Sequence, residues 1–255
     1  MVAIEKDRMP LLDHLQELRK RLLISFLSVC LGGIACWFFY DRILELLLEP
    51  YCQIRDNSDP ERIFGSGCEL LVTDPLEPFS VRLTVAGYGG VILSIPMLLW
   101  QAWRFIAPGL LSKEKKWALP FLLSGLLLFV MGSLLAYWSI PRALDFLMEI
   151  GGPDLVSVFS PAKYIGFVIK MIVAFGIGFE FPLFLIFLQL LGVLTPTALR
   201  KSRRYAIVGV VALVAVLTPS GDPFTLMILS LPMLLFYEIA ILVGSLRNRR
   251  MMTKA

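Results

Sequence analysis

Residues 117 to 141, WALPFLLSGLLLFVMGSLLAYWSIP, contain no charged side chain. A membrane-spanning helix needs roughly 20 mostly apolar residues, and this stretch is one of several that qualify. Only 17% of the chain is charged and 57% is hydrophobic, whereas soluble domains carry about 25% charged residues. The apolar excess arrives in long blocks. In hydrocarbon every backbone N–H and C=O must be satisfied internally, so such blocks fold as helices and not as open strands. The sequence therefore predicts an all-α polytopic membrane protein. No polar linker is long enough to divide it, which makes residues 1–255 a single helical bundle.

Six transmembrane helices are expected, at about 22–41, 81–103, 117–138, 163–190, 205–218 and 224–243, the fifth and sixth spans being short. The fifth, from Tyr205 to Leu217, gives only about 20 Å of helix at 1.5 Å per residue, less than the ~30 Å of a bilayer core. Basic residues alternate with acidic ones across these segments. Lys6, Arg8, Arg19, Lys20 and Arg21 precede the first span, and Arg104, Lys113, Lys115 and Lys116 follow the second. Arg200, Lys201, Arg203 and Arg204 follow the fourth, and Arg247, Arg249, Arg250 and Lys254 follow the sixth. The intervening loops are rich in Asp and Glu. The positive-inside rule then puts both termini in the cytoplasm.

Ahead of the first span, PLLDHLQELRKRL places Leu11, Leu15, Leu18 and Leu22 on one helical face. Residues 10–21 are thus expected to form an amphipathic helix on the inner membrane surface. No small-residue cleavage site follows the first apolar block, so it reads as a span and not as a secretory signal. In the first external loop Pro50, Pro75 and Pro78 suggest rigid turns. Cys52 and Cys68 share that loop, and a disulfide between them is open. Cys30 and Cys36 read as packing residues. With one histidine and no CxxC or HExxH spacing, the sequence offers no metal centre and no Ser/His/Asp triad. No P-loop is present either, and nothing points to a cofactor, an enzyme or a nucleic-acid partner.

Candidate functional residues are few because charges inside a membrane are expensive. Glu180 sits in FGIGFEFPLFLIF, at mid-span, and an ionisable residue there is a functional-site hypothesis by default. The ordinary alternative is a protonated carboxyl donating one hydrogen bond within the bundle. Pro182 bends the same helix. Glu17 has Arg21 four residues on, so a local helical ion pair is its bland reading. Glu114 stands among lysines in LSKEKK. Both acids lie on a basic face, where paired carboxylates could fork onto guanidinium groups. Glu238 near the inner end of the sixth span could reach the interface, Lys170 could snorkel, and Asp222 in TPSGDPF is ordinary turn chemistry.

Five segments then coincide in order: HLQELRKRL, WRFIAPGLLSKEKK, FGIGFEFP, TPTALRKSRRYAIV and LTPSGDPFT. Together they resemble the TatC family, the multi-spanning receptor of the twin-arginine protein translocase, over about residues 10 to 245. The resemblance implies a bacterial inner-membrane receptor for signal peptides bearing two adjacent arginines. It also implies assembly with single-span TatA/TatB-type proteins, self-association in a larger complex, contact with membrane lipid, and use of the proton motive force. It nominates Glu17 and Glu114 as partners of the arginine pair, supported by Leu18, Arg19 and Phe105. It assigns Glu180 to a concave intramembrane surface, Thr218 and Asp222 to partner contact, and Pro50 to assembly. One departure is the last turn, which reads TPSGD where many members read TPPD. From residues alone, a proton-coupled transporter using Glu180 is the competing expectation; the lack of an internal repeat weighs against it.

Overall fold

A computed structural model describes residues 11–57, 70–106, 118–150, 159–190, 192–218 and 222–252. These residues form helices joined by turns, with no strand among them. In chain order the helices are α1 (Leu11–Phe38), α2 (Tyr40–Asn57), α3 (Glu77–Ile106) and α4 (Ala118–Ile150). They continue with α5 (Pro161–Leu190), α6 (Pro196–Lys201), α7 (Arg203–Leu217) and α8 (Pro223–Met252). Among them α1, α3, α4, α5 and α8 are long and apolar enough to cross a membrane. At 15 residues α7 spans about 22 Å.

Three expectations need correction. The boundary expected at 21, between the amphipathic helix and the first span, does not exist. From Leu11 the helix runs unbroken through Phe38, because no helix breaker intervenes and α3 packs along it. The loop expected after the first span is partly helical: α2 occupies Tyr40–Asn57, and Pro50 lies inside it instead of in a turn. The reason is an apolar face. Leu44, Leu47, Leu48, Tyr51 and Ile54 recur at helical spacing and pack into the bundle. Finally, the last span is not short. Helix α8 has 30 residues, since its apolar run passes directly into a helix-compatible basic tail.

Helix α5 is the spine. At one end Tyr164, Ile165, Val168 and Ile169 pack with residues of α2, α3 and α4. In the middle Met171, Phe175 and Phe179 meet Ala136 of α4, Val210 and Val214 of α7, and Leu229 and Met233 of α8. At the other end Leu185 joins Leu199 of α6 and Tyr237, Ala240 and Ile241 of α8.

Glycine sets how closely the helices approach. A Cβ on Gly132 of α4 would lie 2.6 Å from the Phe175 carbonyl oxygen of α5, and one on Gly90 of α3 would lie 2.6 Å from Gly33 N and Val29 O of α1. Lipid tails are as apolar as leucine, so such close van der Waals seams replace the hydrophobic effect as the force between helices.

Buried polar groups tie the ends together. Glu77 Oε1 accepts from Ala162 N (2.9 Å) and Oε2 from Thr73 N (3.1 Å), so one carboxylate joins the start of α3 to the first turn of α5. A negative group there also complements the helix dipole. Tyr164 donates to the Leu47 carbonyl (2.9 Å) and Tyr237 to the Leu199 carbonyl (2.7 Å).

The α1–α3 seam gives a direct test. Gly90→Ala should cost about 1–3 kcal/mol through overpacking against backbone, seen as a lowered thermal midpoint in detergent. Gly87→Ala, where a Cβ meets nothing within 4 Å, should leave the midpoint unchanged. Equal midpoints for the two variants would reject the seam.

Candidate functional site

At the start of α1, Glu17 and Arg21 lie one turn apart and face α3. Arg21 Nε donates to Glu17 Oε1 (3.1 Å) and Nη2 bonds the same oxygen. Arg21 Nη1 donates to Gln101 Oε1 of α3 (3.3 Å). The guanidinium is thus shared between a carboxylate and an amide across the α1–α3 junction. The second carboxylate oxygen, Glu17 Oε2, is buried and has no hydrogen-bond partner among the described residues. Leu18 beside it is half-buried and Arg19 is exposed. Phe105, one helical turn beyond Gln101 on α3, is half-buried. Glu114 lies outside the described residues.

Glu180 occupies the middle of α5 and is half-buried. Its neighbours are placed by Gly125 of α4: a Cβ there would be 3.2 Å from Glu180 Oε2 and 3.1 Å from Leu99 of α3 and Leu183 of α5. The carboxylate therefore looks across α4 toward α3, through the gap a glycine leaves. Glu180 Oε1 is buried without a hydrogen-bond partner. Lys170, on the same helix, is exposed.

Near the other membrane face, Thr218 ends α7 and Asp222 precedes α8. Both are buried, at 4% and 3% exposure. Thr218 Oγ1 donates to Val214 O (2.9 Å). Asp222 Oδ1 accepts from Thr225 N (2.7 Å) and Oδ2 from Thr225 Oγ1 (2.5 Å). That is helix capping: the side chain satisfies an N–H that the first turn of α8 leaves without an intrahelical acceptor. Pro50 is buried in α2 beside Tyr137 and Pro141 of α4. Cys52 is disulfide-bonded, with its partner outside the described residues, while Cys30 and Cys36 are free. Among the described residues no cluster of His, Cys, Asp and Glu could hold a metal ion.

Comparison with known proteins decides the family. Residues 13–232 match the family model for the Sec-independent protein translocase protein (TatC). The chain belongs to the TatC family. It is 40% identical to the Aquifex aeolicus Sec-independent protein translocase protein TatC over 245 residues, covering 95% of this chain and 97% of that one. It is 39% identical to the Frankia casuarinae TatC over 250 residues, covering 97% of this chain and 69% of the relative. A crystal structure of the twin-arginine translocase receptor TatC superposes with a TM-score of 0.75 at 38% identity, covering 92% of this chain and 99% of that one. With its apolar helices, family membership makes this a multi-pass membrane protein.

The TatC-like motifs thus fall into separate places. Glu17 is linked through Arg21 to Gln101 on the end of α3 that carries Phe105, whereas Glu180 sits mid-bundle and Thr218 and Asp222 lie at the α7–α8 turn. Sequence reasoning missed Gln101, whose signal was an amide at the end of an apolar span, four residues before Phe105. It also missed Arg82. That guanidinium lies over the rings of Trp37 (4.8 Å) and Tyr40 (5.0 Å) and donates to the Trp37 carbonyl (3.3 Å) at the α1–α2 corner. For Glu17 the local ion pair with Arg21 is present, as its bland reading held.

The capping geometry predicts that Asp222→Ala lowers stability by ~1 kcal/mol while Asp222→Asn, itself a good cap, retains most of it. Thermal unfolding of the purified protein measures both. An alanine variant as stable as the parent would remove the capping role.

Proposed function

We propose that this chain is the receptor and scaffold subunit of a twin-arginine translocase, reading two adjacent arginines of a signal peptide at the inner ends of α1 and α3. The observation that carries the reading is the Glu17 carboxylate. One oxygen is held by Arg21 and the other has no partner, so a second guanidinium has an acceptor already oriented by the first. Carboxylate–guanidinium contacts are strong and geometrically selective, which would separate arginine from lysine. Leu18, Arg19 and Phe105 flank this acceptor, and Glu114 supplies the second carboxylate of the pair. The similar crystal structures, both of a twin-arginine translocase receptor, support the same reading.

Topology follows from charge. With α7 as a sixth crossing, the basic groups before α1, between α3 and α4, around α6 and after α8 all face one side. Five crossings would put the two basic termini on opposite sides. We therefore assign both termini to the cytoplasm of a bacterial inner membrane. The short α7 is accommodated by local thinning of the bilayer and by its packing on α5 and α8. Pro50 belongs to a self-assembly surface, and Thr218 and Asp222 hold the α7–α8 turn against single-span TatA/TatB-type partners. Glu180 offers its unpartnered oxygen to a polar group on such a partner helix, and translocation of folded cargo draws on the proton motive force.

Crosslinking a signal peptide to the membrane-embedded protein tests the receptor site. The arginine-pair peptide should crosslink at least about tenfold better than its lysine-pair version, a difference of ~1.4 kcal/mol. Glu17→Gln should reduce that preference, and Glu114→Lys should abolish it with membrane insertion intact. Unchanged crosslinking in the Glu114→Lys protein would sink the assignment.

Glu180 has its own test. Glu180→Gln keeps a hydrogen-bonding group and should leave co-purification of a single-span partner nearly intact, whereas Glu180→Ala should weaken it several-fold, the ~0.6–2 kcal/mol of a polar contact between membrane helices. Equal damage from both changes would mean that ionisation, and not hydrogen bonding, is what the site needs.

A further inference from the structure

Helix α4 carries a continuous exposed apolar stripe that ends in charge. Leu123, Leu127, Met131, Leu134 and Trp138 are all exposed and recur at i+4, i+4, i+3 and i+4, which keeps them on one face. The stripe is about 22 Å long at 1.5 Å per residue, more than the ~15 Å depth of one bilayer leaflet. Arg142 follows Trp138 by one turn and Asp145 follows Arg142 by three residues, both exposed on the same face.

These residues edge an open cavity of about 500 Å³ between α4 and α2, walled by Pro50, Tyr137, Trp138, Pro141, Arg142 and Asp145. The Arg142 guanidinium stacks on Trp138 with its carbon 3.8 Å from the ring centroid, and Nη1 donates to the Trp138 carbonyl (3.1 Å). Stacking and this bond fix the plane of the group while leaving its remaining donors for another acceptor. Arg142 and Asp145 interact electrostatically without forming an ion pair, so each presents its charge to the cavity. Glu149 lies near enough to act on Asp145 as well. Tyr137 closes the wall, its hydroxyl held by Leu46 O (2.8 Å) and Glu49 Oε2 (2.9 Å).

We infer that this cavity binds the headgroup of an ammonium-bearing zwitterionic phospholipid, a phosphoethanolamine group, whose acyl chains lie along the α4 stripe. The phosphate takes the free donors of Arg142. The ammonium, with three N–H groups, reaches Asp145 at the rim, and the rings of Trp138 and Tyr137 sit at the interface where amphipathic aromatics are favoured. Carboxylates at the rim disfavour a headgroup of net negative charge. A trimethylated headgroup has no N–H to give Asp145.

Native mass spectrometry of the full-length protein, released from detergent after incubation with defined lipids, tests the site. Phosphatidylethanolamine should be retained at one per chain and about tenfold more than phosphatidylcholine or phosphatidylglycerol of the same chains, the effect of one charge-assisted contact. Arg142→Gln should cut that retention about tenfold and Arg142→Lys should restore much of it. Asp145→Asn should erase the preference among headgroups while leaving total lipid retention similar. Soluble phosphoethanolamine at equal concentration should not displace the lipid. Equal retention of the three lipids, or retention unaffected by Arg142→Gln and Asp145→Asn, would overturn the inference. Displacement by soluble phosphoethanolamine would overturn the lipid assignment as well.

Discussion

Most of this bundle is packed on α5, with α1 joined to it through α3. Helix α5 contributes to core clusters at both ends and in the middle, and it can do so because lipid gives neighbouring helices no hydrophobic incentive to approach. What remains is contact geometry. Gly132 lets α4 sit against the backbone of α5, and Gly176 admits the Phe129 ring, where a Cβ would stand 2.5 Å from ring carbon. With α4 and α8 both packed on α5, the carboxylate of Glu180 is held in the gap beside Gly125, facing α3 and α4.

Polar groups in such a setting are few, and most are bonded within the chain. Glu77 ties α3 to α5, Tyr164 ties α5 to α2, Tyr237 ties α8 to α6, and Asp222 caps α8. An unpaired buried polar atom costs more in this medium than in a water-exposed one. The unpartnered oxygens of Glu17 and Glu180 therefore stand out against a bundle that otherwise satisfies its carboxylates. Arg82 sets its charge against two aromatic faces and a carbonyl, and its Nε is likewise buried without a partner among the described residues.

Much of this was legible in the chain itself. Apolar blocks located the long helices, and Glu180 stood out as an acid in the middle of one of them. The boundary errors have local causes. Pro50 and the acidic residues of the first external loop masked the 3–4 spacing of Leu44, Leu47, Leu48 and Tyr51 that makes α2 a helix. The charges of HLQELRKRL suggested a surface helix, although nothing in the segment breaks the run from Leu11 to Phe38. Asp222 looked like turn chemistry, and capping is a closely related use of the same side chain. The contact of Arg21 with Gln101 spans 80 positions, and no local pattern announces it.

The sequence by itself determined the class of solvent, the helical state and the motif order that marks a TatC chain. Those depend on composition and on spacing within a few residues, where period and hydropathy act. Tertiary structure decided which polar groups are used up inside the bundle and which retain an open valence. Glu17 and Asp222 illustrate the difference. Glu17 lies within α1 and Asp222 caps α8, and the first keeps a buried oxygen without a partner among the described residues while the second bonds Thr225 with both oxygens. The Asp222 cap is local, made three residues along the chain, whereas the Arg21–Gln101 contact beside Glu17 spans 80 positions, and only packing sets it.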